Sequence, residues 1–285
     1  MKGKIININL PDLDKIIDLA IDEDLSLGDI TTQSLQLDSK EINCQIISKS
    51  KGVLSGNVVA KRVFEKIDKN INYKEIIKDG GNLAENSIIA DIEGDENTIL
   101  SAERIALNFL QRMSGVATLT RSYVDKAKNI SITDTRKTIP GWRNLDKYAV
   151  RCGGGYNHRR NLGDGVLIKD NHISAAINQG LSLKEIITRA KLNSPHTIKV
   201  EIEIDDFDML DEALETDADI IMLDNMSNEQ IIESIKKIDG SKLVEVSGNI
   251  DDKRLETLNN ISGIDIISVG KLTHSAKALD ISLNF

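Results

Sequence analysis

Residues 197–224 read TIKVEIEIDDFDMLDEALETDADIIMLD. The stretch opens on an apolar, β-branched run (197–204), passes through FDMLDEALE with apolar positions at helical spacing, and closes on DIIMLD (219–224). A β-branched run, a helical segment and a second β-branched run make one βα unit with its following strand. Working outward, runs of the same kind stand at ISITDT (130–135), GVLIKD (165–170), KLVEVSG (242–248) and IDIISVG (264–270). SAAINQGLSLKEIITRAK (174–191), SNEQIIESIKKI (227–238) and DDKRLETLN (251–259) supply helical patterns between most of them. Strands this apolar are covered on both faces, which predicts a parallel sheet. Right-handed crossovers then close it into a barrel or leave it open.

Polar residues fall at the C-terminal edge of nearly every run. The first ends in Asp134, Arg136 and Lys137, and the second in Lys169, Asp170 and Asn171. The third carries Glu201 and Glu203, two apart and so on one face. The others end in Asp224-Asn225, Ser247-Gly248 and Gly270-Lys271. In βα barrels the ligand site is built from strand ends at that face. One polar ending is an ordinary loop start; six in succession predict an active site.

The stretch between the first two runs adds charge. From Thr135 to His172 it holds Arg136, Lys137, Arg143, Lys147, Arg151, Arg159, Arg160 and Lys169 against three aspartates, in a chain of net charge -9. His158 and His172 lie there too, and Gly153–Gly155 permit close backbone approach to a ligand or positive φ. Such a cluster suits a small ligand with several negative charges. Glu203 (or Glu201) and Asp224 are hard oxygen ligands suited to a phosphate-bridged Mg²⁺. SGNI (247–250) and SVGKLTH (268–274) are small, Gly-containing turns leading into helical segments, where barrels place a phosphate. No serine or cysteine stands beside a base as a nucleophile.

The N-terminal half reads differently. Pro11 and Asp12 open a helical pattern, and from Ile42 to about Ile92 short β-rich runs surround one helix, VVAKRVFEKI. That predicts a small α+β domain. TILSAERIALNFLQRMSGVAT (98–118) reads as a long apolar helix broken near Gly115, with Arg104 inside it.

Composition narrows the classes. At 285 residues, with 40% hydrophobic and 28% charged content, the chain suits one large or two ordinary soluble domains. A pI near 5.1 argues against nucleic acid as a partner. No apolar run approaches a membrane span, and MKGKIININLPDLDK lacks a signal-type apolar core. Cys44 and Cys152 form no metal spacing and read as reduced thiols of a cytoplasmic protein, Cys152 as small and buried.

TRKTIPGWRNLDKYAVRCGGGYNHR (135–159) followed by LIKDNH (167–172) resembles the signature of the quinolinate phosphoribosyltransferase family. ERIALNFLQRMSGVATLT, DIIMLDNMS, VEVSGNI and ISVGKLTHSAKALDISL resemble the same family, so the likeness covers nearly the whole chain. It implies transfer of phosphoribosyl from phosphoribosyl pyrophosphate to quinolinate with loss of CO₂, on the path to NAD, with Mg²⁺ as cofactor. It implies an N-terminal α/β sandwich domain over residues 1–115, with 275–285 packing on it, and an open, mostly parallel α/β barrel over 116–274. It implies a homodimer in which Arg104 reaches the other subunit's site.

Residue by residue, the resemblance makes Arg136, Lys137, His158, Arg159 and Lys169 the quinolinate-binding cations, with Thr135 beside them. Glu203 and Asp224 become the metal and ribose carboxylates, and Lys137, Lys169, Glu203 and Asp224 the catalytic set. Ser247, Gly248, Asn249 and Gly270 contact phosphate, with His274 nearby. Two positions depart from the family pattern. Ile139 stands where the family has a second threonine, and Asn249 where it has a glycine. Asn tolerates positive φ, so Asn249 is expected to alter affinity for the donor rather than abolish activity. A related molybdenum-transport branch lacks the intact Lys169-Asp170-Asn171-His172; a nicotinate-using enzyme needs fewer cations. A non-catalytic anion-binding protein on the same fold is the rival of a different class.

Overall fold

The computed structural model describes residues 12–36 and 38–285. Pro11, and with it the first step of the expected helix start, lies outside them. The chain forms α1 (Leu13–Leu25), α2 (Ile30–Leu35), β1 (Glu41–Ser48), β2 (Gly52–Val53), α3 (Asn57–Ile67), β3 (Asn72–Glu75), β4 (Asn82–Leu83), β5 (Ile88–Asp95) and α4 (Glu96–Lys126). β1 alternates inward Cys44, Ile46 and Ser48 with more exposed neighbours, the period of a strand with one covered face. It pairs antiparallel with β5, with a bulge between Ile46 and Ile47, and β3 pairs with β5. α3 buries Val59, Ala60, Val63 and Phe64, and the Phe64 ring lies 5.7 Å from that of Tyr73 on β3.

α4 is continuous through Gly115, where the sequence reading placed a break. The glycine answers a packing demand instead. A Cβ there would stand 2.0 Å from the Lys277 carbonyl oxygen, so the helix admits the passing backbone only because no side chain is present.

Beyond α4 come β6 (Ser131–Thr133), α5 (Arg143–Cys152), β7 (Val166–Ile168), α6 (Asp170–Ile177), α7 (Leu183–Asn193), β8 (Val200–Ile204), α8 (Phe207–Leu214), β9 (Ile220–Asp224), α9 (Asn228–Ile238), β10 (Leu243–Ser247), α10 (Asp252–Leu258), β11 (Ile266–Ser268), α11 (Lys271–His274) and β12 (Ile281–Asn284). The pattern at 174–191 is two helices, not one. Gly180 at φ +84° turns the chain, and the Ser182–Glu185 capping box starts α7. β6 to β11 form one parallel sheet in the order β6-β11-β10-β9-β8-β7. β6 and β7 are its edges, so the sheet is open. Val200, Ile202, Ile204, Ile221, Leu223 and Ile267 are fully buried, as expected of strands covered on both faces.

Compactness divides the chain into two units. One comprises Tyr123–Lys137 and Tyr156–Lys271 and holds the parallel sheet. The other takes the described residues up to Ser122 together with Thr138–Gly155 and Leu272–Phe285. Within it, β12 adds to β1, completing a four-stranded sheet in the order β12-β1-β5-β3. Among the described residues no helix is long and apolar enough to cross a membrane.

Candidate active site

Parallel strands bring all their C-terminal ends to one edge, and a pocket of about 580 Å³ lies there. Ten of the fourteen residues expected to bind substrate line it: Thr135, Arg136, Lys137, His158, Arg159, Lys169, Asp224, Ser247, Gly248 and Asn249. Each arrives for a reason visible in the backbone. Asp134 directly follows β6 and is fully buried. Its carboxylate accepts from the His158 backbone N–H (2.9 Å) and from Asn157 Nδ2 (2.7 Å), fastening the loop that carries His158 and Arg159. Lys169 follows β7, and its backbone N–H donates to His172 Nδ1 at 3.1 Å. That bond holds the lysine at the head of α6.

The two glutamates of β8 have different surroundings. Glu203 accepts a hydrogen bond from the Lys169 ammonium through Oε2. Glu201 is 4% exposed and lies beneath, its Oε2 3.2 Å from His158 Nε2. Glu245 of β10 comes to the same place, with Oε1 3.5 Å from that nitrogen. Burial first, and then the Glu201 carboxylate, push Glu245 up to about 8. His158, Glu201 and Glu245 are the one group of three potential metal ligands among the described residues. The histidine's other nitrogen argues against that use. Nδ1 accepts the Arg159 backbone N–H at 2.8 Å, so a neutral ring carries its hydrogen on Nε2, facing the carboxyls as a donor.

Cations dominate the remaining wall. Arg136, Lys137, Arg159 and Lys169 all line the pocket. Arg159 donates to the Gly165 carbonyl at 3.0 Å. Burial, followed by the Arg136 guanidinium, draws its pKa below the usual value. Opposite charge comes from Asp224, whose Oδ2 accepts from Asn225 Nδ2 at 2.6 Å. Asn225 also accepts from Asn249 Nδ2 at 3.3 Å. Gly248 has φ +96°, and a Cβ on it would meet Asn225 Oδ1 at 2.2 Å, so the β9 and β10 ends approach each other only at a glycine. Asn249 takes φ +48°, the left-handed conformation expected of the asparagine at that position.

Other expectations land elsewhere. Gly270 follows β11 and is absent from the lining, as is Glu203. Arg104 and His274 belong to the other unit. Arg104 is exposed on α4 and borders a hollow with Phe109, Pro140 and Trp142. His274 is exposed beside Ser275. Three of the eight basic residues of that stretch serve packing. Arg143 bonds Thr138, Arg151 bonds the Gly155 carbonyl, and Lys147 is 3% exposed. In the glycine run, Gly153 answers a packing demand, since a Cβ there would stand 2.5 Å from the Ala117 carbonyl oxygen of α4, and Gly154 takes the positive φ (+90°) that the run permits. Cys152 is buried, and burial pushes its thiol up to about 12, which keeps it unreactive.

Leu167, Met222, Asn225 and Ser268 complete the lining. Asn225 was expected only as part of a polar strand end and Ser268 only as the start of a Gly-containing turn; Leu167 and Met222 were not foreseen. Nor was Glu245. Its signal was the period of two: Glu245 precedes Ser247 by two positions, as Glu201 precedes Glu203, and so shares the inward face.

Comparison with known proteins meets this geometry. The family profile "Quinolinate phosphoribosyl transferase, C-terminal domain" matches residues 116–284, and its N-terminal counterpart matches 29–114. A probable nicotinate-nucleotide pyrophosphorylase (carboxylating) of Bacillus subtilis strain 168 is 39% identical over 95% of this chain and 93% of its own length. A mitochondrial quinolinate phosphoribosyltransferase (decarboxylating) of Nicotiana glauca is 40% identical over 95% of this chain and 82% of its own length. The crystal structure of NadC from Streptococcus pyogenes superposes with a TM-score of 0.91 at 39% identity, covering 98% of each chain. The nicotinate-nucleotide pyrophosphorylase of Francisella tularensis gives 0.92 at 37%, over 99% of this chain and 98% of that one. With both of its domains matched along the chain and the expected strand ends gathered around one pocket, this protein belongs to the quinolinate phosphoribosyltransferase family.

Proposed function

We propose that the chain transfers the phosphoribosyl group of phosphoribosyl pyrophosphate to the ring nitrogen of quinolinate, releasing pyrophosphate and CO₂ and leaving nicotinate mononucleotide. The observation that carries this is the convergence of Arg136, Lys137, Arg159 and Lys169 on one pocket that also holds Asp224 and the Ser247–Asn249 turn. Quinolinate brings two carboxylates and the donor brings phosphates. A monocarboxylic acid would leave part of this cationic wall desolvated without a partner, which is costly.

The cations hold the carboxylates and aim the ring nitrogen at the ribose carbon. As the bond to pyrophosphate breaks, positive charge grows on the ribose, and Glu203 and Asp224 are the carboxylates to offset it. The backbone at Ser247, Gly248, Asn249 and Gly270 takes the phosphate, with His274 near it. Once alkylated, the ring is cationic and receives the electron pair left by CO₂; a proton then takes the vacated carbon. Hard oxygens at Glu203 and Asp224 fit Mg²⁺. They would hold it by carboxylate oxygens, the donors that cation prefers. A Mg²⁺ held by these two residues would supply positive charge to offset that of the leaving pyrophosphate.

The chain works as a homodimer, with Arg104 entering the site of the second subunit. Arg104 is exposed, and its unit also exposes Leu19, Leu27, Ile30 and Leu35, from 60% to 94% each, side chains that a second subunit could cover. Its compartment is the cytoplasm, in keeping with two buried, unbridged thiols.

The test is a product assay with quinolinate, phosphoribosyl pyrophosphate and Mg²⁺, run in parallel with nicotinate. Nicotinate mononucleotide and CO₂ from quinolinate alone is the expected result. Binding of both ligands without product would instead identify an anion-binding protein. Light scattering gives the mass in solution. Mixing Arg104→Ala with Lys169→Ala subunits should restore part of the activity each lacks, and no recovery would overturn the shared site.

A further inference from the structure

The ring of His158 touches the pocket with neither of its nitrogens uncommitted. Nδ1 accepts the Arg159 backbone N–H at 2.8 Å. Nε2 lies 3.2 Å from Glu201 Oε2 and 3.5 Å from Glu245 Oε1, under a side chain only 14% exposed. An imidazolium would need an acceptor at both nitrogens, and at Nδ1 it would meet a donor. A neutral ring with hydrogen on Nε2 satisfies both ends. Such a ring has no further N–H to offer a substrate carboxylate.

What the ring does hold is the loop. The His158 backbone N–H is fixed on Asp134, its Nδ1 fixes the next backbone N–H, and the Arg159 side chain leaves from that point toward the Gly165 carbonyl. The floor beneath is polar and sealed: Glu201 and Glu245 are 4% and 2% exposed, and Oε1 of each is buried without a hydrogen bond. Glu245 opposes Met222 in the strand register, and Met222 in turn opposes Glu203, so the pair and the pocket share a barrel face.

We propose that His158 is a positioning residue rather than a substrate cation: a neutral imidazole, protonated at Nε2, that spans from the buried Glu201–Glu245 pair to the Arg159 backbone and sets where the Arg159 guanidinium enters the pocket. The role assigned to Arg159 rests on the proposed reaction; the ring's tautomer does not.

The experiment therefore has two readouts. Long-range ¹⁵N–¹H correlation on histidine-labelled protein, without substrate and near neutral pH, reads the tautomer directly. One of the chain's four histidines, assigned by its loss in His158→Gln, should show a protonated Nε2 and a bare Nδ1. Signals of two protonated nitrogens would overturn the proposal. Steady-state kinetics then compares His158→Gln, which keeps a neutral donor near the Nε2 position, with His158→Ala. The glutamine variant should keep kcat/KM for quinolinate within about tenfold of the parent, while the alanine variant loses at least about tenfold more, mostly through KM. Equal loss in the two would overturn the positioning role. If the alanine variant does not fold, His158→Gln alone decides: a loss beyond about a hundredfold with the parent tautomer neutral overturns it. A parent protein that makes no nicotinate mononucleotide would defeat the reaction while leaving the tautomer result intact.

Discussion

Lys169 ties the end of β7 to the carboxylate of β8. Its backbone is held by His172, its ammonium by Glu203, and it lines the pocket. Lys169→Ala removes a cation from the wall and leaves the Glu203 carboxylate without that partner, so kcat/KM should fall by at least ~10²-fold. Arg136→Ala, which removes a planar fork suited to a carboxylate, should cost as much. Steady-state kinetics with quinolinate checks both, and near-normal turnover in either removes that residue from the site. Glu245 carries a prediction of stability. Its folded pKa, about 8, is raised above the usual carboxylate value of about 4.3. The folded chain therefore holds a proton that the unfolded chain has lost, so its contribution is complete below about pH 4 and drains away as pH rises toward about 8. Tm should decline across that window, and Glu245→Gln, which cannot ionise, should decline less. A parallel decline in the two proteins would show that Glu245 is ionised in the fold. The four pocket cations were legible because each follows an apolar run by one to three residues or sits in the one basic stretch. The buried Glu245 was passed over: KLVEVSG holds a single carboxylate, without the second one that marked Glu201 and Glu203 as a pair on one face. The state of His158 was not legible either: it depends on a neighbouring N–H and on two carboxyls far away in sequence.

At the scale of elements, the parallel strands were readable from their apolar runs, since a strand covered on both faces leaves no other composition open. α5 was not. RNLDKYAVRC looks like solvated chain, yet Asp146 is 1% exposed and meets Arg112 of α4 at 3.1 Å, a partner only the folded chain supplies. Gly115 was misread for a related reason. A glycine within a helical pattern signals a break when only local propensity is weighed; here it signals a crossing. Gly115→Ala adds helix propensity worth up to ~1 kcal/mol. It also drives a methyl onto the Lys277 carbonyl, within 2.0 Å of it, and backbone yields less readily than a side chain. Overpacking of this kind costs ~1–3 kcal/mol or more, so the clash wins and chemical denaturation should show a net loss. A stabilised variant would mean that the 272–285 segment adapts freely to α4.

At the scale of the molecule, two charge effects compete for an anionic substrate. The chain as a whole is at -9 and repels it; the pocket gathers four cations and attracts it. Distance decides between them. Charges spread over the surface lie mostly beyond the Debye length, ~10 Å at 0.1 M salt, and are largely screened. A carboxylate ~4 Å from a guanidinium, at an effective dielectric near 20, gains ~4 kcal/mol per pair. Contact attraction should therefore govern binding at ordinary ionic strength. Added salt then acts chiefly by putting competing anions against Arg136, Lys137, Arg159 and Lys169. KM for quinolinate should rise as salt increases from ~0.05 to ~0.5 M. kcat should change less, since the bound complex already excludes the competitor. Sulfate should raise KM more than chloride at equal ionic strength, because a divalent oxyanion bridges two of these cations where chloride meets one. Initial-rate measurements in the two salts separate the effects. A KM that fell with salt, alike in both, would place the control in the long-range negative field and deprive the cationic wall of the role given to it.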